Sequence, residues 1–289
     1  MAIMLPDLAV CPMTADLKER LARKPAPGVR LFWIGQAGFV IEAAGRRIVI
    51  DPYLSDSLRV KYQERAFPHD RMMPPPVDID GLGHVDLVLV THGHTDHMDP
   101  ATLQPLFATR RTARLVAPAA LERLAAERSG LPPERLLTLD AGESILACPG
   151  ITITATPAAH ERREQDEQGL ERFLGYMVEA DGLRLWHSGD CVPFNGLVEI
   201  VKELEPDIAL LPVNGRRPEL SANGVPGNFT IKEAIDTATA VGAKTLIAHH
   251  YGMFAFNTAD PREIDALFAD GSLQLLRART GVCYEYGCR

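Results

Sequence analysis

Basic residues are in deficit in this chain of 289 residues. Its 30 Lys and Arg stand against 38 Asp and Glu, a net charge of −8, which leaves no global positive field for nucleic acid. Cysteine is scarce. Cys11, Cys148, Cys191, Cys283 and Cys288 are odd in number, scattered and without metal-type spacing. That argues against a disulfide framework and for a reducing compartment, the cytoplasm. No uninterrupted apolar stretch nears the roughly 20 residues of a membrane span. The start, with Pro6 and Asp7, lacks the basic-then-apolar pattern of a secretory leader. There is no Gly-x-Ser-x-Gly elbow, so nothing points to a serine nucleophile. What remains is a cytoplasmic globule with no membrane or nucleic-acid partner, long enough for a sizeable core and expected as a single unit over 1–289.

What the chain does hold is histidine in one place. Residues Thr91–Pro100 read THGHTDHMDP and put His92, His94, Asp96 and His97 within six positions, directly after the apolar run Asp86–Val90. Imidazole and carboxylate are natural ligands for zinc and its first-row neighbours. The spacing of two between His92 and His94, with Gly93 between, favours a tight loop at a strand end over a helix.

Along the rest of the chain, Val29–Ile34, Phe39–Ala44 and Arg46–Asp51 read as strands around a Gly35–Gly38 turn. The opening 27 residues read as an N-terminal extension with a short amphipathic piece, Asp16–Arg23. Residues 55–83 look irregular, with Pro74–Pro76, and a loop of that length reads as a lid or a contact segment of a homo-oligomer. Further strands and helices alternate from Arg114 onward, with Thr230–Glu233 forming a capping box. Hairpins followed by βα units in both halves predict two sheets with helices outside. Three later residues sit just past predicted strands and could complete a metal site: His160, Asp190 after the flexible Gly189, and His250.

With those residues in view, the chain resembles the metallo-β-lactamase fold superfamily, from Trp33–Phe39 through Asp51-Pro52 and THGHTDH almost to the C-terminus. The resemblance implies an α/β fold, an αββα sandwich of two mixed β-sheets flanked by helices, with two divalent metal ions between the sheets. By position, His92, His94 and His160 would bind one metal, Asp96, His97 and His250 the second, and Asp190 would bridge them. Asp51–Ser55, Leu211–Arg216, Gly227–Thr230 and His250–Phe254 are similar to the branch containing L-ascorbate-6-phosphate lactonase. That branch implies manganese and the wider superfamily zinc, and a His-rich site with carboxylate oxygens also accepts iron. A redox diiron centre is disfavoured, because His94 stands where that branch has Glu. His249 precedes the expected ligand His250, and strand alternation sends neighbours to opposite faces, so His249 is expected to pack behind the site. Cys191, beside Asp190, is expected either to line the site or to be a small buried residue.

Two metals sharing a water hold hydroxide at neutral pH, which Asp96 and Asp190 would aim at an electrophilic carbonyl or phosphorus. Asp51 is expected to accept from a ligand imidazole. Arg216 and Arg217 are expected to hold the anionic group of a small substrate, with Arg59, Lys61, Arg162 and Arg163 as weaker candidates. The expected activity is hydrolysis of a lactone of a small phosphorylated sugar acid. A phosphodiesterase acting on nucleotides or phospholipids is the alternative.

Overall fold

The computed structural model describes residues 8–267 and 273–286. In chain order the first half runs β1 (Leu8–Pro12), α1 (Leu17–Leu21), β2 (Val29–Gly35), β3 (Gly38–Ala43), β4 (Arg46–Ile50), α2 (Ser57–Tyr62), β5 (Leu87–Leu89), α3 (Pro100–Thr109), β6 (Arg114–Pro118), α4 (Glu122–Ser129) and β7 (Leu136–Leu139). The second half runs β8 (Ser144–Cys148), β9 (Ile151–Pro157), β10 (Leu174–Ala180), β11 (Leu183–His187), α5 (Leu197–Glu203), β12 (Ile208–Pro212), α6 (Pro218–Ser221), α7 (Ile231–Ala240), β13 (Thr245–His249), α8 (Pro261–Ala266), β14 (Gln274–Arg277) and β15 (Val282–Tyr286). Among the described residues these strands form an eight-stranded sheet, β1-β15-β2-β3-β4-β5-β6-β7, and a seven-stranded sheet, β14-β13-β12-β11-β10-β9-β8. Each is mixed. Antiparallel hairpins such as β2–β3–β4 and β9–β10–β11 lead into parallel pairs, β4–β5–β6–β7 and β11–β12–β13–β14.

Strand alternation builds the layers. Trp33, Phe39 and Ile41 point toward the second sheet, where they join Tyr176, Leu185 and Ile247 in one apolar core. Their sequence neighbours Phe32, Ile34 and Val40 face the other way and pack with Leu17, Leu21, Leu103, Leu106 and Phe107 of α1 and α3. Fully burying side chains of this size stabilises the fold by about 1.5–3 kcal/mol each. The result is two mixed sheets face to face with helices outside, as expected of an αββα sandwich. Among the described residues no helix is long and apolar enough to cross a membrane.

Four elements escape the sequence reading: β1, α2, α3 and the one-turn α6. β1, inside the expected N-terminal extension, pairs antiparallel with β15 from the far end of the chain. α3 carries Pro100 in its first turn and Pro105 within it. The second proline removes an intrahelical hydrogen bond, so the segment does not read as helix. The Asp99 carboxylate caps it by accepting from the Ala101 N–H at 3.2 Å. Within 55–83, Ser57–Tyr62 forms α2, while residues 63–79 are largely irregular, as expected. The capping box at Thr230 and Glu233 is present, and it opens α7.

Candidate metal centre

β5 delivers the first four candidate ligands, and several elements fasten the turn that carries them. Backbone N–H groups of His97 and Met98 both donate to the His94 carbonyl, at 3.1 and 2.8 Å, which closes the turn. The buried Asp99 carboxylate accepts from the hydroxyls of Ser55, Ser57 and Thr102 at 2.6–2.9 Å, tying the start of α2 to the start of α3. From α4, Arg128 donates to the carbonyls of Gly93 at 2.7 Å and Met98 at 3.2 Å.

The other three arrive singly, each from a separate strand end. His160 lies beyond β9, and its Nδ1 donates to the Gly227 carbonyl at 3.0 Å. Asp190 lies beyond β11. Gly189 before it has φ +63°, and a Cβ there would stand 2.5 Å from the Leu174 carbonyl oxygen, so only glycine fits the turn. His250 is the first residue after β13. Its φ of 60° is left-handed, and its N–H donates to the Gln36 carbonyl at 3.0 Å.

Their ligating atoms converge as three overlapping groups: His92, His94 and His160; His92, His97 and Asp190; and Asp96, His97 and His250. Within each group the atoms lie within 4.8 Å of one another. One Asp190 oxygen stands 3.4 Å from His97 Nε2, and the other stands 3.2 Å from His250 Nε2 and 3.6 Å from His160 Nε2. His92 Nε2, His97 Nε2, His250 Nε2 and Asp190 Oδ1 are buried without hydrogen-bond partners. Each such orphan costs about 1–3 kcal/mol, and four of them aimed at one spot fit a donor set for a divalent cation. Imidazole nitrogen with carboxylate oxygen is the set that zinc and its neighbours take.

A hydrogen-bonded shell fixes which nitrogen faces inward. Asp51 Oδ2 accepts from His97 Nδ1 at 2.7 Å and from the Thr91 hydroxyl at 2.7 Å, while Oδ1 accepts from the Thr91 N–H at 2.8 Å. With its proton on Asp51, the Thr91 oxygen accepts from His92 Nδ1 at 3.0 Å. The Nδ1 atoms of His92, His97 and His160 are thereby held outward and Nε2 is the atom each ring presents to the centre, the orientation a ligating histidine needs. Burial opposes charge throughout. It pushes the His160 pKa down to about 4 and that of His92 well below the usual value. Burial acts on His97 too, but Asp190, Asp51 and Asp96 outweigh it and hold its pKa well above the ordinary range. Asp190 is held well below the ordinary carboxylate range: burial works against ionisation, and His250 and His97 overcome it.

Above this cluster opens a cleft of about 610 Å³, lined at its base by His94, Asp96, His160, Asp190 and His250. Tyr62, Phe67, His69, Phe254 and Phe256 make an aromatic wall, and Asn223–Pro226 also line the cleft. His69 is stacked on Tyr62 at 4.2 Å and meets Phe254 and Phe256 edge-on, both at 4.8 Å. Part of the 55–83 segment is thus a wall of the cleft. A depression of about 710 Å³ elsewhere, around Lys202, Pro206 and Gly242, holds none of these groups.

The structure moves several expected residues. Arg216 does not line the cleft. Its guanidinium is taken bidentately by Glu233, 2.6 Å at each nitrogen, and also reaches the Asn228 carbonyl. Arg217 is exposed, 3.7 Å from Glu219. Arg59, Arg162 and Arg163 pair with Asp56, Glu164 and Glu171. Of the basic candidates only Lys61 lines the cleft, joined by Arg65 and Arg128. His249 is buried behind the centre, stacked on His187 at 4.9 Å with Phe39 edge-on at 5.5 Å. Cys191 is fully buried with its thiol donating to the Val192 carbonyl, and burial pushes its pKa up to about 12. It is a small packed residue. Gln36 was not anticipated: its Nε2 donates to Asp96 at 2.8 Å while its carbonyl holds His250. Only the glycine-flanked turn that carries it is visible in the sequence.

A family model described as the β-lactamase superfamily domain matches residues 46–251. A UPF0173 metal-dependent hydrolase of Methanopyrus kandleri is 30% identical over 270 residues, covering 89% of this chain and 100% of the relative. The solved structure of a metallo hydrolase from Ignicoccus hospitalis matches with a TM-score of 0.62 at 23% identity, over 90% of this chain and 99% of that one. A metallo-β-lactamase fold protein of Bacillus subtilis matches with a TM-score of 0.59 at 15% identity, over 89% and 99%. At such identities the two solved structures speak for the fold alone, and the family model and the M. kandleri relative carry the membership: this chain belongs to the metallo-β-lactamase superfamily and is a metal-dependent hydrolase.

Proposed function

We propose that the chain is a dinuclear hydrolase that opens a small cyclic ester, a sugar-acid lactone, in the cleft above the His/Asp cluster. The observation that carries this reading is Asp190, whose two oxygens reach His160 of one triad and His97 and His250 of the other. In this reading His92, His94 and His160 hold one ion, Asp96, His97 and His250 hold the second, and Asp190 is shared. Zinc and manganese both suit the donor set. Bound there, the ions supply Lewis acidity, which acidifies water and polarises the ester carbonyl.

The chain's own residues do the positioning. Asp96, held by Gln36 Nε2 at 2.8 Å, and Asp190 orient the attacking water from the base of the cleft. Asp51 and Thr91 hold Nδ1 of His97 and His92 outward, so each ring presents Nε2 to the centre. The aromatic wall gives the sugar ring an apolar face to lie on and keeps bulk water off that side. No side-chain nucleophile is required.

Elemental analysis of the purified protein, with parallel assays on simple lactones and bis-(p-nitrophenyl) phosphate, tests this. About two equivalents of zinc or manganese and faster lactone opening are expected. A single bound iron would overturn the dinuclear reading, and preferential phosphodiester cleavage would replace the lactone.

A further inference from the structure

Once Glu233 claims Arg216, the cleft needs another source of positive charge, and two side chains from different elements supply it at one turn. Lys61, at the end of α2, donates from Nζ to Thr95 Oγ1 at 3.3 Å. Arg128, on α4, donates from Nη1 to the Gly93 carbonyl at 2.7 Å. Gly93 and Thr95 flank His94, so both cations meet the same three-residue turn, and both line the cleft. Arg128 is half-buried, and its Nε and Nη2 have no partner among the described residues. Two backbone carbonyls hold the guanidinium in place, leaving its remaining N–H donors free. Neither cation is neutralised by a cleft carboxylate. Among the described lining residues the carboxylates are Asp96 and Asp190, and both belong to the His/Asp cluster. Arg65 adds a third cation to the wall that carries Lys61. In a chain of net charge −8, that is a local reversal of sign.

We propose that Lys61 and Arg128 form an oxyanion subsite beside the metal centre, which grips the phosphate or carboxylate of the substrate and sets which end of the molecule reaches His94 and Asp190. The subsite rests on the hydrolase reading above and adds to it the charge of the substrate. Arg128 supplies fixed planar donors and Lys61 a mobile point charge, a pairing suited to orienting an oxyanion rather than merely attracting it.

The test is calorimetric titration of inorganic phosphate, and separately of acetate, into the purified full-length protein and into Lys61→Gln, Arg128→Lys and Arg128→Gln, with metal content measured on each. Saturable binding that weakens about tenfold in Lys61→Gln, the equivalent of 1.4 kcal/mol, with metal content unchanged, is expected. Arg128→Lys should lose less than Arg128→Gln. Since Arg128 also secures the metal turn, Lys61→Gln carries the decision if Arg128→Gln fails to fold. Tighter phosphate than acetate identifies a phosphorylated substrate, and the reverse a carboxylate. Binding unaffected by Lys61→Gln, or no saturable binding of either anion, overturns the subsite even if two metals are present. Lys61-dependent binding in protein that takes up no metal would keep the subsite and sink the dinuclear reading.

Discussion

The two halves of the centre are built in opposite ways. In the first, His92, His94, Asp96 and His97 come from six consecutive positions on one turn, held from outside by Asp51, Asp99 and Arg128. In the second, His160, Asp190 and His250 come from three strand ends, and each has its own single fastening: the Gly227 carbonyl, the Gly189 turn and the Gln36 carbonyl. A contiguous turn tolerates small shifts because its ligands move together. Separate strand ends do not, because a slip of one residue in β9, β11 or β13 turns each side chain to the other face. The first half depends on local hydrogen bonds and the second on the register of a whole sheet.

Asp190 is where the halves meet, so Asp190→Ala is the largest expected effect. Its two oxygens reach histidines of both. Metal content should fall for both ions together, and hydrolysis should drop by at least on the order of a hundredfold, the scale of losing one transition-state contact. Elemental analysis beside the assay checks it. Retention of one full equivalent would show that the halves load independently, and Asp190 would then not be the joint.

The contrast itself is sharpened by removing one support from each side. Asp51→Asn strikes the turn, where one carboxylate orients His97 directly and His92 through Thr91. Metal affinity should weaken about 10- to 100-fold, as for other groups that orient a ligand. Glu161→Gln strikes the strand-end side one step further out. Glu161 accepts from the Gly227 N–H at 3.0 Å and from the Ser221 hydroxyl, and the Gly227 carbonyl in turn holds His160. A few-fold loss is expected, since a neutral amide keeps an acceptor at that place. Metal titration with a competing chelator ranks the two. An equal or larger loss in Glu161→Gln would mean that the separate strand ends, not the turn, limit affinity.

The same contrast decides what could be read from residue order alone. The clustering of His92, His94, Asp96 and His97 was legible because it is local: an apolar strand, a glycine, and three imidazoles and a carboxylate within six positions. His160, Asp190 and His250 were legible as residues just past strands, with the family resemblance to choose among them. His250 illustrates the remaining gap. Alternation suffices to separate it from His249, yet His250 lies beyond β13 with φ 60°, a turn no propensity announces for histidine. Gln36 was hidden for the same reason, having φ 51°. β1 was missed because its partner β15 lies at the other end of the chain. Arg216 misled because sequence shows a charge and not its partner, although that partner, Glu233, was already visible in the capping box. Nothing in the sequence singles out Arg128, and only the sandwich brings it to the Gly93 carbonyl.

Glu233→Gln probes the outermost support and should have the smallest effect. Arg216 binds Glu233 with both terminal nitrogens and reaches the Asn228 carbonyl, next to the glycine that holds His160. Hydrogen bonds from Arg216, ahead of those from Thr230, pull the Glu233 pKa from 4.5 down to about 2, against the burial that raises it. A carboxylate whose folded pKa lies below its unfolded one adds stability above the unfolded value and loses it as pH falls through the folded one. The window is therefore about 4.5 down to 2. The pair is partly solvated, so screening reduces its contribution to about 1 kcal/mol at neutral pH. Glu233→Gln should lower the melting temperature by a few degrees at pH 7, flatten the acid limb of the stability curve across that window, and leave metal content and phosphate affinity unchanged. Loss of phosphate binding in this variant would return Arg216 to the cleft and undo the division between the cations that hold the fold and those that face the substrate.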